Sequence, residues 1–509
     1  MRGSGSITPS SPDTTMPSNH DRNSKRARAG ALAECFDEMR LVPMLRDELG
    51  ACLGKRASGL WSRWDARVGR GIGYIAKHDI GKGKVMNPLL NERIAQFDSP
   101  FRRLDELLAG IAPNPELTPI VMSVGEPQDA PPPLLAETVA AHAHLWNRYP
   151  PAVGTPEFRR AAAGYLDRRY EGARGRIYPD AEISPVTSSR EGLYLAASIA
   201  TGPSRAAPLA VMQNPFYQTY RAAAIMAGAT PSYLPHNGFP EFALDLASVE
   251  EGTWSRTSIL YLCSPSNPDG RVIPASEMRI AIEAARRHDF LVVFDECYAE
   301  LYDDAPPQGA LDVLATLDSS DRWLSNVLVL HSLSKRSSAA GLRSGFAVAD
   351  RETLAALNRV RLNGTACTPL PLLAAATALW SEDGHVEAMR ARLKERKDTA
   401  DRLLGAFPGY YRPPCGFFLW IEAGDGVALT RRLWRDFALK VLPGAYLTQP
   451  DRDGANAGHG FVRIALVHDP DTTRQGLARL AGALGVVPDS GGVTKEGPAP
   501  ALAKQRKSA

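Results

Sequence analysis

From residue 86 onward the chain alternates short apolar, β-rich runs with longer stretches rich in Ala, Leu and Arg. That alternation predicts a mostly parallel sheet wrapped by helices. Four runs, 209–212, 259–263, 290–294 and 327–330, read as buried strands. Each ends in a polar, turn-forming cluster: Gln213-Asn214-Pro215, Ser264-Pro265-Ser266-Asn267-Pro268, Asp295-Glu296 and His331-Ser332. Open α/β sheets bind ligands outside the carboxyl ends of their strands, so the four clusters predict one shared site. Another run, 183–186, precedes Ser188-Ser189-Arg190-Glu191 and an Ala/Leu-rich stretch reaching Ala200, which places a helix N-terminus after a further strand. Runs 416–421 and 461–467 read as strands of a second, smaller α/β domain, and no internal repeat is visible.

The two ends have another texture. Residues 1 to about 30 are rich in Ser, Pro, Asp, Asn and Arg, a composition that cannot offset its own ordering entropy. Across 31–53, Leu32, Phe36, Met39, Leu41, Met44 and Leu45 fit a short amphipathic helix and a chance pattern in a tail equally well. Glycines at 69, 71, 73, 81 and 83 make a linker. Residues 1–85 are therefore expected to be a disordered or linker-like extension, with Met86 an alternative start, and 488–509 a tail rich in Pro, Gly, Lys and Ser.

Composition narrows the function class. With 44% apolar and 23% charged residues in 509, collagen, coiled coil and wholesale disorder are excluded, and the length suits two to four domains. The 59 basic residues nearly balance the 56 acidic ones, and the excess lies before Met86, where 15 Lys and Arg face 9 Asp and Glu. A polyanion is thus not expected as the main partner, and no nucleic acid is assigned. Six cysteines without C-x-x-C pairing or metal-finger spacing predict reduced thiols, a cytoplasmic protein and no metal site. Neither a signal-peptide core nor a run of about 18 apolar residues occurs, so no membrane is expected as a partner.

The stretch His331-Ser332-Leu333-Ser334-Lys335-Arg336-Ser337-Ser338-Ala339-Ala340-Gly341-Leu342-Arg343-Ser344-Gly345 carries the most chemistry. A lysine at a strand end among other cations loses its proton readily and forms a Schiff base with an aldehyde. Two serines and an arginine fork beside it suit a dianionic phosphate.

Here the chain resembles the class I and II aminotransferases, the pyridoxal-phosphate enzymes of fold type I, from about residue 86 to 487. Its S-x-S-K followed by G-L-R-x-G is similar to the family's lysine motif. Asp295-Glu296-Cys297-Tyr298 resembles D-E-x-Y, and Ser264-Pro265-Ser266-Asn267-Pro268-Asp269-Gly270 resembles N-P-x-N-P-T-G, departing from it at Ser264 and Asp269. Asn214-Pro215-Phe216-Tyr217 is similar to the N-P-x-aromatic element, and Tyr149-Pro150 with Gly154-Thr155-Pro156-Glu157-Phe158-Arg159 to Y-x-x-x-x-G-x-P-x-L-R. Arg463, in Phe461-Val462-Arg463-Ile464-Ala465, stands where the family keeps a carboxylate-binding arginine.

The resemblance implies an α/β fold of type I: a large domain at about 130–370 with a mostly parallel, doubly wound sheet, and a small domain formed by 86–129 with 371–487. It makes Lys335 the reactive amine and Asp295 the carboxylate beside the cofactor's ring nitrogen, a helix cap being the plainer alternative for Asp295. Asn267 and Tyr298 would donate to the ring's phenolate oxygen. Ser189, Arg190, Ser332, Ser334 and Arg343 would line the phosphate, although Ser188 with Glu191 also spells an ordinary capping box. Tyr217 would stack on the ring, or else be a plain core aromatic. Tyr149 would reach the phosphate of a neighbouring subunit, which implies a homodimer with shared active sites. Arg463, helped by the backbone of Gly125, would grip the α-carboxylate of the substrate. His331 and His288 have no partner visible in sequence and read as structural.

The implied partners are an amino acid and a 2-oxo acid, 2-oxoglutarate foremost. Within the family, several stretches are most similar to the N-succinyldiaminopimelate aminotransferases. They are Met86-Asn87-Pro88-Leu89-Leu90, Pro100-Phe101-Arg102-Arg103-Leu104 leading to Leu107-Leu108-Ala109-Gly110, Ser123-Val124-Gly125-Glu126-Pro127, Ser188-Ser189-Arg190-Glu191-Gly192-Leu193 and Ser332-Leu333-Ser334-Lys335-Arg336-Ser337. Such a donor carries distal carboxylates, for which Arg190 and Arg336, one or both, are the candidates, plain phosphate or surface contacts being the alternative for each. Aspartate, aromatic or kynurenine aminotransferases, a pyridoxal-phosphate lyase and an aminotransferase-like transcription regulator are the alternatives.

Overall fold

Runs such as Val327-Leu328-Val329-Leu330 are apolar at consecutive positions because helices cover both faces of the strand they form. The computed structural model describes residues 91–234, 243–317, 320, 322–450 and 454–486. Every expectation about 1–85 and 488–509 lies outside them. The described residues all fall within one compact unit.

Among the described residues there are twelve strands: β1 (Ile120–Val121), β2 (Ile183–Val186), β3 (Leu209–Met212), β4 (Thr230–Tyr233), β5 (Thr257–Cys263), β6 (Leu291–Asp295), β7 (Val327–Ser332), β8 (Gly345–Ala349), β9 (Phe418–Glu422), β10 (Leu439–Lys440), β11 (Leu442–Pro443) and β12 (Phe461–Ala465). Seven of them build a sheet in the order β2-β8-β7-β6-β5-β3-β4. Its pairs are parallel from β4 to β7, and β8 runs antiparallel to both β7 and β2. Along β5, Leu260 and Leu262 enter one core while Ile259 and Tyr261 enter another, the period-2 alternation of a sheet buried on both faces. Leu330 is fully buried there, so Leu330→Ala removes about 2–5 kcal/mol of packing. A second, antiparallel sheet runs β11-β12-β9, and β1 pairs with β10 across a long stretch of sequence, Ile120 facing Leu439.

This topology brings the carboxyl ends of β3, β5, β6 and β7 to one edge. Because β8 runs backwards, its first residue, Gly345, faces both Ser332 at the end of β7 and Val186 at the end of β2. Only glycine fits there, since a Cβ would run into the His331 carbonyl and crowd the Ser189 amide.

Candidate active site

A cavity of about 590 Å³ opens at that edge. Of the cofactor- and substrate-binding residues expected from sequence, all but Tyr149 and Arg336 border it; the Tyr149 side chain stands fully exposed on the surface. A larger groove of about 920 Å³ at the opposite edge of the sheet, beside Leu291, Asn326 and Asp350, holds none of them.

Lys335 lies in a four-residue helix, Leu333–Arg336, that follows β7 directly. Ser332 caps it, its Oγ accepting from the Ser334 amide at 3.2 Å and donating to Ser334 Oγ at 3.1 Å. Lys335 Nζ donates to the Gly125 carbonyl at 2.5 Å. A Cβ at Gly125 would strike the Phe418 ring, so this close approach requires glycine. Burial lowers the pKa of the amine, and Arg463 and Arg190 push the same way against Cys297 and Glu126.

Asp295 ends β6 and is buried. Tyr220 OH donates to its Oδ2 at 2.7 Å and the Cys297 amide to its Oδ1 at 3.4 Å. The residues after it form a turn rather than a helix, so the helix-cap alternative fails. Burial raises its pKa, while the two donors and Lys335 oppose that rise. Tyr220, which no sequence motif singles out, stands in the first turn of the helix Gln218–Ala227, for which Tyr217 is the N-cap.

Arginines gather at the next corner. Ser188 precedes the helix Ser189–Ala200 with φ 73° and ψ 158°. Its hydroxyl accepts from Arg343 instead of a helix amide, and Glu191 takes the Thr187 amide and Thr365 Oγ1, each at 2.5 Å. The capping box spelled by the sequence is therefore not formed. Arg190 Nε donates to Tyr217 OH at 2.7 Å, and Tyr217 meets Tyr220 edge-on at 5.7 Å. Burial lowers the pKa of Arg343, and the neighbouring Arg190 adds to that. Two repelling cations beside a helix N-terminus suit a phosphate.

Arg463, on β12, is buried. It donates from Nη1 to Asn267 Oδ1 at 3.0 Å and from Nη2 to the Ser123 carbonyl at 2.9 Å, with Phe418 4.2 Å from its guanidinium. Its Nε has no hydrogen-bond partner, and among the described residues no carboxylate pairs with it. Burial holds its pKa down at about 10. Such a charge is costly until an anion reaches it. Tyr298 is buried close by, its ring against Phe417 and Phe418.

Arg336 does not share this site, contrary to the expectation that it faces a distal carboxylate. It is buried elsewhere, donating to the Leu379 carbonyl at 2.8 Å and the Glu382 carbonyl at 3.0 Å, paired with Asp383 and packed on Tyr165 and Trp380. His331, packed among Tyr165, Tyr170 and Phe346, also lies outside the cavity. Burial lowers its pKa to about 3, with help from Arg169 and Arg336, so it is a neutral core residue.

The donor set fits pyridoxal phosphate: a cationic corner for the phosphate, a poised amine, a buried carboxylate for a ring nitrogen, and a buried guanidinium without a carboxylate partner among the described residues where a substrate carboxylate belongs. No group of three or more His, Cys, Asp or Glu among the described residues is arranged for a metal ion. No helix among them is long and apolar enough to cross a membrane.

The family described as aminotransferase class I and II matches residues 118–480. The chain is 32% identical over 362 residues to the 4-dedimethylamino-4-oxo-anhydrotetracycline transaminase OxyQ of Streptomyces rimosus, across 70% of this chain and 92% of that protein. It is 27% identical over 370 residues to the LL-diaminopimelate aminotransferase of Dehalococcoides mccartyi, across 71% and 90%. The crystal structure of an aminotransferase from Neisseria meningitidis superposes with a TM-score of 0.73 at 33% identity, covering 77% of this chain and 99% of that one. By family match, relatives and fold alike, the chain belongs to the class I and II aminotransferases, pyridoxal-phosphate-dependent transferases of fold type I.

Proposed function

We propose that this aminotransferase takes its amino group from N-succinyl-L,L-diaminopimelate and passes it to 2-oxoglutarate, in lysine and diaminopimelate synthesis. The observation that carries this reading is Arg463, a buried carboxylate site within a cavity whose rim is formed by the exposed side chains of Phe101 and Val124. That shape suits a long donor held by its α-carboxylate at the buried end. The likeness to LL-diaminopimelate aminotransferases supports the same donor class.

In this reading Arg463, helped by the backbone of Gly125, orients the donor, and Lys335 Nζ takes the proton from its Cα. Bound pyridoxal phosphate supplies the electron sink that makes that proton acidic. Asp295 would keep the ring nitrogen charged, Asn267 and Tyr298 would donate to the ring oxygen, and Tyr217 would stack on the ring. Ser189, Arg190, Ser332, Ser334 and Arg343 would hold the phosphate. We further assign a large domain at 130–370, a small domain of 86–129 with 371–487, a cytoplasmic setting and a homodimer in which Tyr149 reaches the neighbouring site.

A second reading draws on the rim itself. Phe101 and Val124 make it apolar, the buried Phe216, Phe418 and Leu447 continue that lining inward, and Arg336 adds no cation there. Such a rim favours a bulky carbon skeleton, and the Streptomyces rimosus relative is named for 4-dedimethylamino-4-oxo-anhydrotetracycline. Purified holoenzyme offered a panel of amino donors with 2-oxoglutarate, read as glutamate formed, separates the two. The highest kcat/KM for the succinylated donor supports the first reading. A clear preference for aspartate, kynurenine or a polycyclic amine rejects it.

A further inference from the structure

Asp295 holds its position through very few contacts. One carboxylate oxygen has the long 3.4 Å contact from the Cys297 amide, and the other receives the Tyr220 hydroxyl at 2.7 Å, the shorter of the two. Tyr220 is fully buried, and its ring lies flat on that of Tyr261, centroids 4.7 Å apart and planes 4° from parallel. Tyr261 is anchored in turn by donating to the Leu193 carbonyl at 2.8 Å, within the helix Ser189–Ala200. The chain of contacts thus runs from the helix at the phosphate corner, through two stacked phenols, to the carboxylate at the end of β6.

We propose that Tyr220 is the positioning residue that fixes the Asp295 carboxylate beside the cofactor's ring nitrogen, and that Tyr261 fixes Tyr220. The proposal rests on the reading of Asp295 as that nitrogen's partner. A phenol suits the task because it has a single proton, committed here to Oδ2, so that it makes no claim on Oδ1, whose contact with the Cys297 amide is long. Being neutral, it favours the ionised carboxylate without bringing a second cation to compete with the ring for it. Tyr217, one helical turn earlier, packs edge-on against the same ring, so one helix start sets both the stacking surface and the aim of the carboxylate.

The test uses cofactor binding rather than turnover. Apoprotein of the parent chain and of Tyr220→Phe, Tyr220→His, Tyr261→Phe and Asp295→Ala is titrated by absorbance with pyridoxal 5′-phosphate and with its 1-deaza analogue, whose ring carries carbon in place of nitrogen. A hydrogen bond to a charged group sets the expected size of the effect. Tyr220→Phe should weaken binding of the natural cofactor roughly ten- to a hundredfold while barely changing that of the analogue. Tyr220→His, which restores an N–H donor, should recover most of the loss. Tyr261→Phe keeps the stack and loses only its anchor, and should show a smaller loss with the same selectivity. Equal weakening of both ligands by Tyr220→Phe, or none, while Asp295→Ala still discriminates, overturns the role of Tyr220 alone. If Asp295→Ala does not discriminate, the reading of Asp295 fails and the proposal falls with it.

Discussion

Arg336 and Arg463 are exposed to 2% and 4%, and their surroundings are opposite in kind. Around Arg336 two backbone carbonyls and Asp383 take up the charge, in a layer where Arg169 and Arg390 reach Glu300 at 3.3 and 3.1 Å and Lys397 reaches Asp303 at 2.9 Å. Around Arg463 there are an amide oxygen, one carbonyl and an aromatic face, with no acid among the described residues. A buried cation that is already matched serves the fold. A buried cation left half matched shows where the charge of a ligand arrives.

Four substitutions sharpen or break that contrast. Lys335→Ala should reduce transamination by at least about 10²–10⁴-fold, because one amine both anchors the cofactor and moves the proton. The visible absorbance band of the lysine-bound cofactor should vanish with it; retained activity would remove Lys335 from the reaction. Arg336→Ala, one residue along, should instead cost about 3 kcal/mol of stability, the low end for a broken buried pair because water re-solvates the half-exposed Asp383. Its denaturant midpoint should fall while kcat per folded molecule holds. Arg463→Ala should raise the donor KM roughly ten- to a hundredfold with little change in the midpoint, since it removes a charge the fold does not match. If the midpoint collapsed instead, Arg463 would belong with Arg336. Arg190 is exposed, so a distal carboxylate on it is worth only about 0.2–1 kcal/mol. Arg190→Ala should therefore lower kcat/KM for the succinylated donor up to about fivefold more than for alanine. Equal losses would give Arg190 to the phosphate alone.

Sequence patterns reached the strand ends far better than the side-chain directions. β2 and β3 fall where the apolar runs bracketed by turn formers put them, because a strand buried on both faces has few other ways to satisfy such a run. β8 went unread: Gly345-Phe346-Ala347-Val348-Ala349 is short, rich in small residues and joined directly to the Arg343 loop. β4 contains Pro231, which only an edge strand tolerates, and its place at the edge is a fact of topology. The pairing of β1 with β10 is set by residues more than 300 positions apart, beyond any local pattern. Arg336 was misplaced because adjacent residues on a helical turn point about 100° apart, which adjacency in sequence conceals. Tyr220 was missed because its role depends on where the end of β6 lies in space.

Ser188 sits at φ 73° and ψ 158°, backbone that essentially only glycine adopts freely and that costs another residue about 1–3 kcal/mol. Its hydroxyl is what Arg343 holds on to. Selection for heat tolerance therefore favours a glycine at this position, and selection for a firm phosphate corner favours the serine, so the two pressures meet at one atom. A thermostable descendant of this enzyme that had acquired Ser188→Gly would be sturdier as a protein and quicker to lose its cofactor.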